Sequence, residues 1–421
     1  MSSSIERALS CTHGADWQIS YWIAAPHAAI KPTMTQPTNS VRPIPFIDLQ
    51  AQRRRCGSRI DAAIARVLAH GQFILGPEVR ALEGELARFC GAGEVISCAN
   101  GTDALALVLM AKGVKSGDAV FCPSFTFAAT AEVIAWFGAT PVFVDIELET
   151  FNMEGASLRA AITRARVLGL NPVGVVPVDL FGHPADYQAI ASICEANDLW
   201  ILCDAAQSFG ATYQNRKVGT IGLATATSFY PSKPLGCYGD GGAVFTDDRE
   251  LAALMRSLRN HGEGADKYDA ARIGINGRLD TIQAAVLIEK LALFPDELER
   301  RSRIARRYNE ALADVAIVPT VRPGCRSTFA QYTIRVPAKK RDALAAALKA
   351  DGIPTAIHYG KPLHRQRAYG DYPLATERLP NSDTAAEQVI SLPMHPYLEA
   401  DVQDEIVDCI RKVLERAPAA V

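Results

Sequence analysis

The sequence lacks the features that mark several common protein classes. Its 44 basic and 46 acidic residues leave a net charge of −2, so no overall field favours nucleic acid or an anionic membrane. No apolar run reaches the roughly 18 residues of a membrane span. None of the ten cysteines forms a CxxC pair, so neither a zinc ribbon nor a redox dithiol is indicated. We therefore expect no metal site, no nucleic-acid partner and no membrane partner.

The cysteines indicate a compartment instead. Cys122 in "AVFCPSF" and Cys203 in "LWILCDAA" lie in apolar, strand-like runs. Such cysteines behave as small buried hydrophobic residues in a reducing environment. This predicts a cytoplasmic protein.

The N-terminal segment differs from the rest of the chain. Residues 1–40 have no convincing helical or strand period, and they lack the charged start, apolar block and cleavage site of a signal peptide. Met34 is followed by "TQPTNSVRPIPFIDLQ", which resembles a natural start. We interpret residues 1–40 as a disordered or mis-annotated extension.

The rest of the chain predicts an α/β protein with two domains. Helical segments alternate with nearly continuous apolar strands such as "DAVFCPSF" and "TPVFVDI". That pattern predicts a mostly parallel sheet covered on both faces, in a large domain at 41–286. After about residue 280 a long charged helical stretch begins, which we expect to kink at Pro295. Strand-like and helical segments follow it, so residues 287–421 are predicted to form a smaller α+β domain.

Lys233 has an unusual setting for a lysine. It lies in "SFYPSKPLGCYGDGGAVF" at 228–245, flanked by prolines and followed by four glycines and an apolar strand. Prolines restrict the backbone and glycines allow another group to approach closely. The alternative is an ordinary solvated lysine, which is the usual state of this residue.

Asp204 ends the apolar strand "WILCDAAQ". Its carboxylate should therefore lie at the carboxyl edge of the sheet, where α/β proteins bind ligands. The alternative is an N-cap of a following helix. An amine held beside this carboxylate at one sheet edge suits a lysine that forms a Schiff base.

A third group of residues suggests a phosphate site. Gly101 and Thr102 in "SCANGTDALALVLM" begin a helix after a strand, and a helix start offers free N–H groups to a phosphate. Ser228 can add a hydroxyl, and Phe127 can stack on a flat ring, although a core position is its alternative. Together with Lys233 and Asp204, these are the parts that hold pyridoxal phosphate (PLP).

The sequence resembles the DegT/StrS-type sugar-nucleotide aminotransferases over residues 46–398. The resemblance rests on motifs that follow one another in the same order along the chain, among them "GQFILGPEV", "SCANGTDAL", "DAAQSFGA", "SFYPSKPLGCYGDGGA", "NGRLDTIQAAVL", "TAIHYGKPLH" and "SLPMHPYL". It implies a PLP-dependent transferase of the aspartate-aminotransferase fold (type I). A few relatives are dehydratases with histidine in place of the lysine, so lysine at 233 favours transamination.

The resemblance also implies a role for individual residues. Lys233 would form the Schiff base, Asp204 would pair with the ring nitrogen and Gln207 would face the ring's phenolic oxygen. The phosphate would be held by Gly101, Thr102 and Ser228, with Phe127 stacked on the ring. Asn276 would reach the phosphate of the neighbouring subunit's cofactor, which implies a homodimer; from its type alone it is a turn residue.

The substrate residues implied by the resemblance are His358 and Tyr359, with Arg278 for an anionic group. From its type alone, His358 is a structural histidine on a strand. One subgroup with similar motifs transfers an amino group from L-glutamate to the 3-keto group of a UDP-linked N-acetyl-3-oxo-glucuronate, for O-antigen or lipopolysaccharide sugars. The alternatives are a dTDP-linked 3- or 4-keto-deoxysugar as substrate, and a DegT-like regulator that is not an enzyme.

Overall fold

The computed structural model describes residues 44–266 and 268–415. The interpretation of residues 1–40 lies outside the described residues.

The helices of the described chain begin and end at recognisable signals. Pro77 stands in the first turn of the second helix, and Gly91 ends it in the left-handed conformation with φ +88°. Two short 3₁₀ turns lie at Leu180–Gly182 and Leu363–Arg365. The α-helices are α1 (Leu49–His70), α2 (Pro77–Cys90), α3 (Gly101–Ala111), α4 (Ala129–Trp136), α5 (Gly155–Val167), α6 (Tyr187–Glu195), α7 (Arg249–Leu258), α8 (Thr281–Leu291), α9 (Phe294–Leu312), α10 (Ala338–Ala350), α11 (Pro380–Gln388) and α12 (Ala400–Glu415).

The strands form one large sheet and two small ones. They are β1 (Glu94–Cys98), β2 (Asp118–Pro123), β3 (Thr140–Val144), β4 (Asn171–Val175), β5 (Trp200–Asp204), β6 (Thr212–Tyr213), β7 (Arg216–Lys217), β8 (Ala224–Ser228), β9 (Gly242–Thr246), β10 (Cys325–Arg326), β11 (Tyr332–Arg335) and β12 (Val389–Leu392). The large sheet has seven strands in the order β1-β9-β8-β5-β4-β2-β3.

The large sheet is mostly parallel, as the sequence predicts. Strands β2, β3, β4, β5 and β8 pair in parallel, and only β9 runs antiparallel to its neighbours β1 and β8. The strands are buried nearly throughout because helices pack on the sheet. The carboxyl ends of β1, β2, β5 and β8 therefore share one edge, which is the position expected for a ligand site.

The long helical stretch after residue 280 is two helices, so the prediction of one kinked helix is wrong. Helix α8 ends at Leu291 and α9 begins at Phe294. Pro295 lies in the first turn of α9, where its missing N–H breaks no helical hydrogen bond. The proline thus belongs to a helix start.

The C-terminal elements have an apolar core of their own. It contains Tyr308 of α9, Ile334 of β11, Ile390 of β12 and Ile410 of α12. Ile44 packs into the same core, although the sequence analysis assigns it to the large domain. The predicted boundary after residue 286 falls inside α8, and the two-domain division stays a prediction.

Candidate active site

Lys233 and Asp204 lie close enough for their charges to interact. Burial lowers the pKa of the Lys233 amine, and the Asp204 charge opposes that effect. Burial raises the pKa of the Asp204 carboxyl, and the Lys233 charge again opposes it. Lys233 is half-buried on its turn, where its N–H donates to the carbonyl of Tyr230 at 2.8 Å. The structure therefore brings together the two residues on which the sequence argument rests, and the solvated-lysine alternative is wrong.

Asp204 is a buried carboxylate and does not cap a helix. It is 5% exposed, and the residues after it form a turn. Its Oδ2 accepts from the Thr130 hydroxyl at 2.8 Å, and its Oδ1 accepts from the Ala206 N–H at 3.1 Å. The sequence analysis missed Thr130, whose only signal is a threonine in the first turn of the helix that follows β2.

The start of α3 faces the end of β8 at very short range. A Cβ at Gly101 would stand 2.6 Å from the Ser228 Cβ, so no larger residue fits there. Asn100 caps the helix by accepting from the Asp103 N–H at 2.7 Å. Gly101, Thr102 and Ser228 are all half-buried. The arrangement leaves a helix start and a serine hydroxyl side by side, as a phosphate site requires.

Phe127 is 61% exposed, so the alternative of a core position is wrong. Its ring centroid lies 6.4 Å from that of Tyr359. Gln207 is buried nearby, with its Nε2 3.4 Å from the Tyr359 hydroxyl and its Oε1 accepting from the Phe181 N–H. An exposed aromatic face, a buried amide and a tyrosine thus line one region.

His358 and Tyr359 come from the C-terminal part of the chain. Burial and the Lys233 charge both lower the pKa of His358, which places its imidazole near the lysine. The Phe46 ring lies 6.3 Å from His358, so the beginning of the described chain also reaches this region. Nothing in the sequence pattern around Phe46 indicated this contact.

Asn276 and Arg278 lie on the segment before α8. Asn276 is exposed, while the Gly277 carbonyl accepts from the Ala99 N–H at 3.0 Å, beside the start of α3. Arg278 donates to the Asn260 side chain at 3.0 Å. Its Nε is buried and has no hydrogen-bond partner within residues 44–266 and 268–415. Arg278 therefore keeps one buried donor without a partner in this part of the chain.

These residues fit PLP on structural grounds. The site combines a phosphate cradle that a Cβ at Gly101 would fill, a buried carboxylate for a ring nitrogen and an amine beside that carboxylate. A separate pocket is lined by Phe151, Phe181, His183 and other residues, but by none of the predicted site residues. In the described part of the chain, no cluster of His, Cys, Asp or Glu could hold a metal ion.

The comparisons with known proteins agree with this geometry. The sequence pattern of the DegT/DnrJ/EryC1/StrS aminotransferase family matches residues 55–411. The chain is 48% identical to UDP-2-acetamido-2-deoxy-3-oxo-D-glucuronate aminotransferase of Pseudomonas aeruginosa, over 85% of this chain and 96% of the relative. It is 39% identical to dTDP-3-amino-3,4,6-trideoxy-alpha-D-glucose transaminase of Streptomyces venezuelae, over 90% and 98%.

The fold comparison gives the same result. The crystal structure of a DegT DnrJ EryC1 StrS aminotransferase from Brucella abortus superposes with a TM-score of 0.87 at 54% identity, covering 89% of this chain and 100% of that one. The fold, the site and the sequence pattern therefore agree: the chain belongs to the DegT/DnrJ/EryC1/StrS family of sugar aminotransferases, whose cofactor is PLP.

Proposed function

We propose that this protein transfers the amino group of L-glutamate to the 3-keto group of UDP-2-acetamido-2-deoxy-3-oxo-glucuronate. The observation that best supports this chemistry is that the buried Asp204 carboxylate and the Lys233 amine lie close enough for their charges to interact. The observation that favours this substrate is the 48% identity to the Pseudomonas aeruginosa enzyme over nearly its whole length. The product would be a precursor of O-antigen or lipopolysaccharide sugars.

In the proposed reaction the protein moves protons and holds charge. Bound PLP supplies an electron sink for negative charge that develops at the donor's α-carbon. Lys233 would take the proton from that carbon and return it at the carbon that receives the amino group. Burial supports this role because it lowers the pKa of the amine, so that more of the amine is in the neutral form that can accept a proton. Asp204 stays ionised to hold a proton on the ring nitrogen, with Thr130 and the Ala206 N–H favouring the ionised form.

The remaining contacts would orient the two substrates and the cofactor. Gly101, Thr102 and Ser228 would hold the phosphate, Phe127 would cover the ring and Gln207 would face its phenolic oxygen. For the sugar nucleotide, His358 and Tyr359 would contact the sugar region. The half-buried Arg278 is suited to the uronate carboxylate, because a guanidinium binds carboxylates through several N–H groups.

We also propose a homodimer. Phe73, Ile74 and Tyr238 are each 39–48% exposed. All three adjoin the start of α8, through a bridge from Ile74 to Asp280 and hydrogen bonds from Thr281 to Phe73 and between Gln283 and Tyr238. An exposed apolar group of this kind is typical of a subunit interface. Asn276, on the segment just before α8, would then reach the partner's cofactor phosphate.

A cytoplasmic location is the last part of the proposal. The nine cysteines of the described residues are all free thiols, and seven are buried. Free buried thiols are typical of proteins in reducing compartments. Among the described helices, none combines the length and apolar character needed to cross a bilayer.

Absorbance spectroscopy tests the proposed chemistry. The protein loaded with PLP should show a visible band that bleaches on addition of L-glutamate. Lys233→Ala should lose this band and fall to background turnover, whereas Lys112→Ala, which removes an exposed lysine at the end of α3, should retain both. A protein that gains no visible band with added PLP would contradict the proposal.

A panel of keto sugar nucleotides tests the substrate. The second candidate is a dTDP-linked 3- or 4-keto-deoxysugar, which the 39% identity to the Streptomyces venezuelae enzyme keeps open. With glutamate as donor, we expect transfer to the UDP-linked 3-oxo-glucuronate and at most weak transfer to the deoxysugars. Arg278→Met should reduce transfer to the uronate by about tenfold or more, since it removes the cation for its carboxylate. Transfer to the deoxysugars alone would overturn the assignment.

A further inference from the structure

Two buried hydroxyl groups lie in contact behind the candidate site. Strands β11 and β12 pair antiparallel, with Thr333 directly opposite Ser391. Both side chains are almost fully buried, at 1% and 0% exposure, and their hydroxyl oxygens are 2.8 Å apart. The apolar residues on either side of this pair in the two strands, among them Ile334 and Ile390, point to the opposite face of the sheet and join the C-terminal core. Buried hydroxyls are stable only when hydrogen-bonded, so one of these two hydroxyls donates to the other.

The hydroxyl pair continues to His358. The backbone of Ser391 exchanges two hydrogen bonds with Ala356, at 2.8 and 3.2 Å. Two residues further along the chain, in a turn, the His358 Nδ1 lies 3.1 Å from the Ser391 hydroxyl oxygen. Thr333, Ser391 and His358 therefore form one continuous chain of polar groups that ends at the candidate site.

The charge state of His358 limits the possible directions of the hydrogen bonds among Thr333, Ser391 and His358. Burial and the Lys233 charge lower the pKa of His358, so its imidazole is neutral at neutral pH. A neutral imidazole has one donor nitrogen and one acceptor nitrogen. If Nδ1 accepts a hydrogen bond from Ser391, the imidazole hydrogen is on Nε2. If Nδ1 donates to Ser391, the imidazole hydrogen is on Nδ1 and Nε2 carries none.

The two directions differ in what they leave unpaired. If Thr333 donates to Ser391 and Ser391 donates to Nδ1, both hydroxyl hydrogens have an acceptor. In the opposite direction no atom of the described residues accepts the hydrogen of the Thr333 hydroxyl, although Thr333 also lines the separate pocket at Phe181 and His183. Leaving a buried donor unpaired costs free energy, which favours the first direction.

We propose that Ser391 and Thr333 are positioning residues that hold His358 in the tautomer with its hydrogen on Nε2, so that Nε2 donates to an oxygen of the nucleotide sugar. The Nε2 atom makes no hydrogen bond within the described residues, and the imidazole lies close enough to Lys233 for the lysine charge to act on it. The inference rests on the proposed function, because it assigns the acceptor to the sugar substrate. It adds two residues of the β11–β12 pair to the recognition of that substrate.

Nitrogen NMR tests the tautomer without any reaction. The protein labelled with ¹⁵N-histidine carries eight labelled residues, and a His358→Gln variant identifies the signals of His358. We expect the hydrogen on Nε2 and none on Nδ1 near neutral pH. Ser391→Ala should shift the Nδ1 resonance, whereas Thr333→Ser, which keeps the hydroxyl, should leave it in place. A hydrogen on Nδ1 in the unaltered protein would overturn the proposal.

The two half-reactions test the positioning role. Ser391→Ala and Thr333→Val should each raise KM for the keto sugar nucleotide about tenfold, while the half-reaction with glutamate changes by less than about twofold. Thr333→Ser is the matched control and should behave as the unaltered protein. Equal losses in both half-reactions, or no change in KM, would show that the two hydroxyls have only a structural role.

The outcomes separate this inference from the proposed function. If the unaltered protein neither binds PLP nor reacts with glutamate, the proposed function fails, and the NMR result still decides whether the tautomer is held as described. If the unaltered protein transfers amino groups but His358 carries its hydrogen on Nδ1, only the positioning role fails.

Discussion

Asp204 is the residue whose local environment gives the sharpest prediction. Its carboxylate is buried, which favours the neutral acid, while Thr130, the Ala206 N–H and the Lys233 charge favour the ionised form. Asp204→Asn keeps the shape of the side chain and removes its charge. We expect PLP to remain bound and turnover to fall by about 10²-fold or more, measured as the rate of bleaching by glutamate. Unchanged turnover would contradict the role of the carboxylate.

Thr130→Val tests the same carboxylate through pH. The hydrogen bond from Thr130 lowers the pKa of Asp204, so removing the hydroxyl raises that pKa. A hydrogen bond to a charged group is worth about 1.5–3 kcal/mol, and one pH unit corresponds to about 1.4 kcal/mol. The acid limb of the pH profile for PLP affinity should therefore move up by about one unit. Thr130→Ser keeps the hydroxyl and should leave the limb unshifted.

At the scale of elements, helix α8 holds the turn that carries Lys233. Lys290 of α8 is 1% exposed, donates to the Gly236 carbonyl at 2.6 Å and lies 4.4 Å above the Tyr238 ring. Gln283, two helical turns earlier, accepts from the Tyr238 N–H at 2.8 Å and donates to the Tyr238 carbonyl at 3.3 Å. One face of one helix thus fixes the segment just after Lys233.

The buried amine of Lys290 predicts a pH dependence of stability. Burial lowers its pKa from 10.5 to about 8, so the folded protein releases this proton at lower pH than the unfolded chain. Between about pH 8 and 10.5 the unfolded state holds more protons, and the free energy of unfolding should rise with pH. Across that pH range, the free energy of unfolding of the unaltered protein should rise by about 3 kcal/mol more than that of Lys290→Met, measured by urea unfolding.

The control for Lys290 is an exposed lysine. Lys112→Met removes a lysine on the surface, and its free energy of unfolding should rise with pH as much as that of the unaltered protein. The interpretation of Lys290 fails if its variant shows the same pH dependence as the Lys112 variant.

At the scale of the whole molecule, the question is which subunit supplies Asn276. The residue is exposed, and its neighbour Gly277 is bonded to Ala99 of the same chain, next to the start of α3. The family resemblance assigns Asn276 to the partner's site. Mixed dimers distinguish an Asn276 that serves the site of its own chain from one that serves the partner's site. Lys233→Ala and Asn276→Ala are each expected to inactivate the protein.

When the two variants exchange subunits, each mixed dimer would contain one site with both native residues. Half of the dimers would be mixed, so activity should recover to about one quarter of the native value. The measurement is transfer activity after subunit exchange, with formation of mixed dimers followed by two different affinity tags. Mixed dimers that form but stay inactive would place Asn276 in the site of its own chain.

The fold class and the chemistry of the cofactor site could be predicted from the amino-acid sequence. The spacing of apolar residues distinguishes helices from strands. Strands that are apolar nearly throughout and alternate with helices predict a mostly parallel sheet, because both faces of such a sheet are buried under helices. The places of Lys233 and Asp204 were predictable because Asp204 ends one strand and Lys233 follows another, and the carboxyl ends of parallel strands share one edge. Local features thus carried these predictions, together with the family motifs.

The contacts between residues far apart in the chain could not be predicted from the sequence pattern. Thr130 bonds Asp204 across 74 residues, and Thr333 bonds Ser391 across 58. The exposure of Phe127 and the break between α8 and α9 also appeared only in the fold. The physical reason is that sequence periodicity reports which face of an element is apolar, whereas a hydrogen bond between distant residues depends on how complete elements pack together.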